Sequence, residues 1–191
     1  MDKASAVKQA DVVNVEAKTP PLRLPDAAST AEVVLNQAMQ YCAQKMGLKE
    51  SDGSQVVIDL LKQGDGVACG YCHYSVAKHV AQSLGALDES VQAVYVCDYD
   101  ATPEDRCFAE GSQVSPIHMI VWAKRKTGAL NSLAKALDRT LAQNFAKLVG
   151  TSQAAHILDV QVIDDVDVQN CVGYAALLSS LHHRPIKIWE R

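Results

Sequence analysis

The hydrophobic period of this chain changes near residue 90, and that change limits the folds it can adopt more than any other feature. Residues 91–97 (VQAVYVC) and 116–123 (PIHMIVWA) are apolar on both faces, as buried strands are. Residues 129–149 carry leucines at helical spacing, whereas 155–164 alternate as a strand with one solvated face does. The predicted order is therefore β-β-α-β-α-β, in which the last helix spans 167–181 and the last strand spans 186–189.

Before that change the apolar residues recur at helical spacing. A first helix is predicted to begin at a Ser29 or Thr30 N-cap and to end at Gly47. A short second helix over 54–62 and a longer third helix over 67–84 follow it.

These patterns predict the domain organisation. Residues 1–28, which include three prolines, are expected to form an extended arm. Residues 29–191 are expected to form one α/β domain, with α+β as the alternative class. Its helical part, 29–86, forms an N-terminal layer, and its second part, 90–191, supplies a mixed sheet of about four strands flanked by helices.

Composition excludes several classes of function. The chain has 191 residues, 48% of them apolar and 21% charged, which is enough apolar material for one core. A formal net charge of −4 disfavours a nucleic-acid partner, because phosphate binding needs a basic surface. No apolar run reaches the roughly 20 residues of a membrane helix, and no signal-peptide pattern opens the chain. We expect a soluble cytoplasmic protein, without membrane contact, whose six cysteines are free thiols.

A CGYC motif, Cys69 to Cys72, opens the third predicted helix, and His73 follows it. On a helical wheel both cysteines continue an apolar stripe through Val76 and Val80, which favours two buried core residues. The alternative is a thiol–disulfide redox pair, because the N-terminal end of a helix stabilises a thiolate.

A resemblance to a known family supports the redox alternative. A CxxC that opens a helix, with a proline (Pro116) before a later strand, resembles the thioredoxin superfamily, and the resemblance implies that Cys69 and Cys72 exchange a disulfide. The same motif with His73 fits the CxxCH of c-type haem attachment. Haem is disfavoured as a cofactor, because that attachment follows export and the chain shows no export signal.

Two of the predicted strands are followed by carboxylates. Asp98 and Asp100 come after the first strand, and Asp164 and Asp165 end the third. In open α/β sheets ligands bind at the carboxyl ends of strands, and converging carboxylates suit a hard cation such as Mg²⁺. These four residues are therefore the candidate metal ligands.

The first acidic segment also resembles a known motif. An apolar strand followed by Asp98-x-Asp100-x-Thr102 resembles the first motif of the haloacid-dehalogenase-like phosphatases. The resemblance implies Asp98 as the nucleophile and Asp100 as the general acid/base, with Mg²⁺ as cofactor. It further implies that the Asp164–Asp165 pair is the family's last acidic motif.

A structural role is the alternative for these carboxylates, because Asp is favoured in turns and at N-caps; Asp167 is then expected to cap the helix after the third strand. Weighing these patterns, we predict a protein with a binding or assembly role, whose partner is a second copy of the chain or another protein. Self-association is expected to use the helical layer or the N-terminal arm. The alternatives are a Mg²⁺-dependent phosphoryl-transfer site at the acidic strand ends and a thiol–disulfide redox protein that uses the CGYC motif.

Overall fold

The computed structural model describes residues 24–49, 51–97, 116–151, 156–182 and 184–191. In these ranges the elements, in chain order, are helices α1 (Leu24–Lys45), α2 (Gly53–Lys62) and α3 (Gly66–Leu87), strands β1 (Val91–Val96) and β2 (Ile117–Ala123), helix α4 (Gly128–Val149), strand β3 (Leu158–Asp164), helix α5 (Asp165–Asn170), a 3₁₀ helix (Gly173–Ser179) and strand β4 (Ile186–Glu190).

Side chains at the ends of the long helices explain where these helices begin and end. The carboxylate of Asp65 accepts the Ala68 N–H at 2.8 Å and caps α3. The Thr127 hydroxyl accepts the Leu130 N–H at 3.1 Å and caps α4, which ends where Gly150 takes a φ of 73°. Satisfying the first free N–H groups in this way stabilises each helix by about 1 kcal/mol.

The four strands form one mixed sheet in the order β3-β2-β1-β4. β1 is antiparallel to both β2 and β4, whereas β2 and β3 are parallel and are connected by α4. The predicted α/β class, with a four-stranded mixed sheet, flanking helices and an N-terminal helical layer, is confirmed.

The two faces of the sheet are covered very differently. The main core lies between one face of the sheet and helices α3 and α4, with α1 packed against these two helices, and Phe145 is its largest fully buried side chain. The other face, called here the second face, carries a small cluster in which Ile120 and Ile163 pack on Ala175 of the 3₁₀ helix. His118 and Asp159 lie on the same second face and are about one-third exposed.

Two predicted helices differ from the observed ones. α1 begins at Leu24, inside the segment expected to be an arm, rather than at Ser29. The helix predicted over 167–181 is interrupted: α5 ends where Cys171 takes a left-handed φ of 52°, and the 3₁₀ helix follows it. The interruption lets the chain turn back so that the 3₁₀ helix packs on the second face.

Helix α3 shows the apolar stripe that its sequence predicts. Its stripe residues, both cysteines included, are buried at 0–1% exposure. Ser75, on the same helix, is also fully buried, and its hydroxyl lies 3.1 Å from Nδ1 of His79. This contact satisfies the buried hydroxyl, which would otherwise cost free energy. In the part of the chain that the structure describes, no helix combines the length and apolarity needed to cross a bilayer.

Candidate functional site

The carboxylates at the end of β3 form a helix cap. Asp164 Oδ1 accepts the N–H groups of Val166 at 3.1 Å and Asp167 at 3.0 Å, while Asp167 Oδ2 accepts the Asp164 N–H at 3.1 Å. This reciprocal pair is a capping box in which Asp164, rather than Asp167 as expected, is the N-cap. The sequence signal for it is the three-residue spacing of the two aspartates.

The remaining acidic groups of this segment tie it to the sheet. Asp165 Oδ1 accepts hydrogen bonds from Nε2 of Gln92 and Nε1 of Trp122, both at 2.8 Å. Asp167 lies 2.5 Å from Nζ of Lys126, and the hydrogen bond from this ammonium lowers the pKa of Asp167. Among the described residues, no three His, Cys, Asp or Glu side chains form a group that could hold a metal ion.

The other half of the predicted acidic site, Asp98 and Asp100, lies outside the described residues. The strand before it is described, and its end at Val96 pairs with Met119, near the start of β2. The end of β3 at Asp164 pairs with Ala123, at the other end of β2.

β1 and β3 therefore finish at opposite ends of the sheet. A single site made by both acidic segments was expected because the carboxyl ends of parallel strands lie at the same end of a sheet. β1 is antiparallel to β2, so this expectation does not apply to β1 and β3. A Mg²⁺ site made by Asp98 and Asp100 with Asp164 and Asp165 stays an untested prediction.

The CGYC cysteines lie in the core. Cys69 and Cys72 are both 0% exposed, and Cys72 faces Cys42 of α1. Hydrogen bonding between Cys72 and Cys42, together with burial, raises the pKa of Cys72 well above its usual value. A reactive thiolate is therefore disfavoured at Cys72, and the redox function of the CGYC pair stays a prediction that nothing here tests.

The open edge of β3 has features that the sequence patterns did not reveal. Among the residues that the structure describes, β3 pairs with β2 along one side only, and a groove of about 480 Å³ runs along its other side, between the strand and α4. The groove residues are Asn131, Ala134, Lys135 and Asp138 of α4, His156, and Leu158 to Val162 of the strand segment.

Asp138 holds the start of β3 against α4. Its Oδ1 accepts the backbone N–H groups of Ile157 and Leu158, both at 2.9 Å, and its Oδ2 lies 2.6 Å from Nδ1 of His156. The Asp138 residue is 8% exposed. A buried carboxylate is stable here because both of its oxygens have hydrogen-bond donors.

A second histidine–aspartate pair lies on the second face. Nδ1 of His118 on β2 is 3.0 Å from Oδ2 of Asp159 on β3, and Gln161 donates to Oδ1 of Asp159 at 2.9 Å. The available signal was period-two alternation, which places His118 and Asp159 on the face opposite the main core.

A separate cleft of about 820 Å³ lies beside α1 and α3. Tyr41 packs edge-on to Tyr71 at 6.4 Å between ring centroids, and Lys45 lies 5.5 Å from the centre of the Tyr41 ring. Burial raises the pKa of Tyr41. Five of the other cleft residues have polar side chains (Gln37, Gln40, Gln44, Lys78 and His79), so the cleft offers hydrogen bonds rather than an apolar pocket.

Comparison with known proteins finds no family model that matches the chain, no similar curated protein and no similar solved structure. Function is therefore argued from the geometry of the described residues.

Proposed function

We propose that this protein works by assembly, and that its partner is a second copy of the same chain paired along the open edge of β3. The observation that carries the proposal is that β3 has no lysine, no proline and no register irregularity, three features with which soluble proteins protect an edge strand. The sequence expectation was association through the helical layer or the N-terminal arm. Residues 1–23 lie outside the described residues. α1 packs its buried side on α2, α3 and α4, and α3 and α4 pack on the sheet.

The strand itself is suited to pairing. β3 runs for seven residues in uninterrupted register with β2, and its sequence, LDVQVID, contains no Lys, Arg or Pro. Val160 and Val162 are half-buried and pack against the main core. A strand in regular register with an apolar row presents N–H and C=O groups that a second strand can pair with, here from Val160 onward because Asp138 accepts the Leu158 N–H.

A two-fold antiparallel pairing centred on Gln161 is electrostatically acceptable. In that register Val160 lies opposite Val162 of the second copy, and Asp159 lies opposite Ile163. No two carboxylates face each other directly, so the repulsion that like charges cause across strands is avoided. The groove beside α4 provides space for the valines of the incoming strand.

We also propose a cytoplasmic location, because three buried cysteines lie close together as thiols rather than as disulfides. Cys42 and Cys72 are in hydrogen-bonding contact without a disulfide, and Cys69 is one helical turn from Cys72. A reducing compartment keeps such neighbouring thiols reduced.

Light scattering coupled to size-exclusion chromatography tests the assembly. We expect the wild-type chain, of 20.6 kDa, to elute with twice that mass. Gln161→Lys places two ammonium groups opposite each other at the two-fold axis, which costs about 1 kcal/mol and weakens the dimer about fivefold. Gln161→Glu is expected to weaken it similarly.

An equimolar mixture of the two variants supplies the decisive comparison. In the mixed dimer an ammonium group lies opposite a carboxylate at the two-fold axis, and this pair is attractive. The mixture is therefore expected to recover the wild-type mass at concentrations where each variant alone dissociates. Lys187→Gln, on the opposite edge, is the matched control and should leave the dimer unchanged. A monomeric wild type at several hundred micromolar, or variants that dimerise like the wild type, would rule out pairing through β3.

A further inference from the structure

The second face carries a row of three residues that is independent of the proposed assembly. Cys97, directly after β1, donates its backbone N–H to the carbonyl of His118 at 2.9 Å. The register Val96–Met119 continues to Cys97 opposite His118, and in the β2–β3 pairing His118 lies beside Asp159. A thiol, an imidazole and a carboxylate therefore occupy one row across three neighbouring strands.

The three side chains point to the same face. Cys97 packs against the small cluster of Ile120 and Ile163. Val96, which precedes Cys97, and Met119, which follows His118, point to the main core on the other face. Directly opposite residues of an antiparallel pair have Cβ atoms about 4.5–5.5 Å apart. A cysteine sulfur and an imidazole nitrogen can meet across that spacing.

We propose that Cys97 is a thiol nucleophile with His118 as its general base and Asp159 as a positioning residue, and that the row transfers acyl groups from activated esters or thioesters. The Asp159 carboxylate accepts the Nδ1–H of His118, which leaves Nε2 with the lone pair that removes the thiol proton. Gln161 in turn holds Asp159 by the bond to its Oδ1. Carboxylate, imidazole and nucleophile thus follow the logic of a catalytic triad.

The reaction balances with water as the only co-reactant. The Cys97 thiolate attacks the carbonyl carbon of the ester, the C–O bond to the alcohol breaks, and Nε2–H of His118 protonates the alcohol. Water then attacks the S-acyl cysteine and gives a proton to Nε2, so that a carboxylic acid leaves and the thiol is restored. The sum is ester plus water to acid plus alcohol.

The sheet itself limits the substrate class. The N–H groups of β1 and β2 near the row are used in pairing with neighbouring strands, so these two strands provide no donors for an oxyanion. Because the described strands beside the row offer no such donor, a substrate with a good leaving group is favoured, namely an activated ester or thioester rather than an amide.

The side chains of the row are accessible to a dissolved substrate. The side chains of His118 and Asp159 are 36% and 38% exposed, and Cys97 is half-buried. The next residue of β1 on this face is Tyr95, whose pKa is raised by burial. The charged groups that act on Tyr95 are Lys187, Glu190 and Arg184, so among the described residues they lie on the same side of the sheet as His118 and Asp159.

Site-resolved alkylation of the full-length protein tests the nucleophile. Iodoacetamide labelling, followed by peptide mass spectrometry between pH 5.5 and 9, gives a rate for each cysteine. Cys171 is exposed, with its sulfur 3.7 Å from the Val168 carbonyl, and serves as an internal reference thiol. We expect Cys97 to react at least about tenfold faster than Cys171 at pH 6, because an imidazole-paired thiol ionises below its ordinary pKa.

Variants separate the catalytic role from a structural one. His118→Gln keeps a donor for Asp159 but removes the base, so the rate of Cys97 should fall to that of Cys171 while the melting temperature is retained. Asp159→Asn should shift the pH profile of Cys97 upward. His156→Asn breaks the other histidine–aspartate pair, at a side chain that is 71% exposed, and should leave the Cys97 profile unchanged.

A burst assay with p-nitrophenyl acetate tests the acyl transfer. We expect one p-nitrophenolate per chain in the burst and an acetyl group on Cys97, both lost in Cys97→Ser at retained circular dichroism. Labelling of Cys97 at or below the rate of Cys171, or a profile that His118→Gln does not change, would overturn the proposal. Rapid labelling without acetylation of Cys97 would overturn the acyl-transfer assignment. Because a monomer retains the whole row, failure of the assembly proposal leaves this test unaffected.

Discussion

The two edges of the sheet differ in how they are protected against pairing with another strand. β4 is five residues long, follows Pro185, carries Lys187 paired to Glu190 at 2.7 Å, and has an irregular register with β1. β3 is longer and regular, and has neither a basic residue nor a proline. Lysines, prolines and irregular pairing are the features that discourage edge-to-edge association. Within the described sheet, β3 is therefore the less protected edge, and the proposed assembly uses it.

The edges also differ in how they are anchored to the helices. β3 is held at its start by hydrogen bonds from its backbone to the buried carboxylate of Asp138. β4 is held at its end by packing and by the last residue: Trp189 lies over Gly85 of α3, and the Arg191 guanidinium donates to the carbonyls of Gly85 and Val91. The anchor of β3 is therefore made of hydrogen bonds, and the anchor of β4 depends mainly on close packing.

The largest effect is expected when the polar anchor is removed. Asp138→Ala leaves the N–H groups of Ile157 and Leu158 buried without acceptors, which should lower the free energy of unfolding by about 3 kcal/mol. Asp138→Asn keeps an acceptor and should cost about 1 kcal/mol. Urea denaturation measures both variants.

Hydrogen exchange shows whether the loss is confined to one edge. In Asp138→Asn the amides of Ile157 and Leu158 should exchange faster, while amides of β4 keep their protection. The exposed His156→Asn is the control and should change stability by less than about 0.5 kcal/mol. A cost below about 1 kcal/mol for Asp138→Ala would show that the carboxylate is not the anchor.

A smaller loss of stability is expected when the contact between Gly85 and Trp189 is disturbed. The same substitution should become stabilising when Trp189 is absent. A Cβ on Gly85 would lie 2.2 Å from Cζ2 of Trp189. Gly85→Ala gains about 1 kcal/mol of helix propensity, but the clash costs more, so a net loss of about 1–2 kcal/mol is expected. In a Trp189→Ala background the same change should instead stabilise the protein.

Gly70 provides the matched control for that substitution. It lies in the same helix, and a Cβ there meets nothing within 4 Å. Gly70→Ala should therefore stabilise the protein by about 1 kcal/mol in either background. A stabilising Gly85→Ala in the wild-type background would show that Trp189 does not pack as described.

At the far end of β3, loss of the cap is expected to cost about 1 kcal/mol. Asp164→Ala removes the acceptor for the Val166 and Asp167 N–H groups. Asp164→Ser retains a capping oxygen and should recover most of the loss. Thermal unfolding compares the two variants; equal melting temperatures for Asp164→Ala and the wild type would contradict the capping role.

The smallest expected effect is a pH dependence at Asp167. Hydrogen bonding from Lys126 lowers the pKa of Asp167 below its ordinary value of 3.8. The ionised form is therefore favoured by folding, and its contribution is present above about pH 4 and lost as the pH falls through the lowered pKa. Asp167→Asn should flatten the stability curve below about pH 4. An unchanged acid dependence in Asp167→Asn would exclude this contribution, and Lys126→Ala should mimic the substitution.

Several features followed from the sequence because they depend on neighbouring residues. The leucine stripe of α4, the alternation of β3 and the burial of Cys69 and Cys72 each reflect spacing along one element. The helical layer, the sheet class and most element boundaries were predicted for that reason. The interruption at Cys171 was missed, because a left-handed residue without glycine carries no composition signal.

Tertiary structure alone decided which elements meet. The direction of β1 relative to β3 depends on pairing between distant segments, and it placed the end of β1 away from Asp164 while bringing Cys97, His118 and Asp159 into one row. Strand pairing joins residues with no fixed separation in sequence, so no local spacing can predict it. Sequence periodicity thus determined which residues each strand turns inward, and the order and direction of the strands determined which outward residues became neighbours.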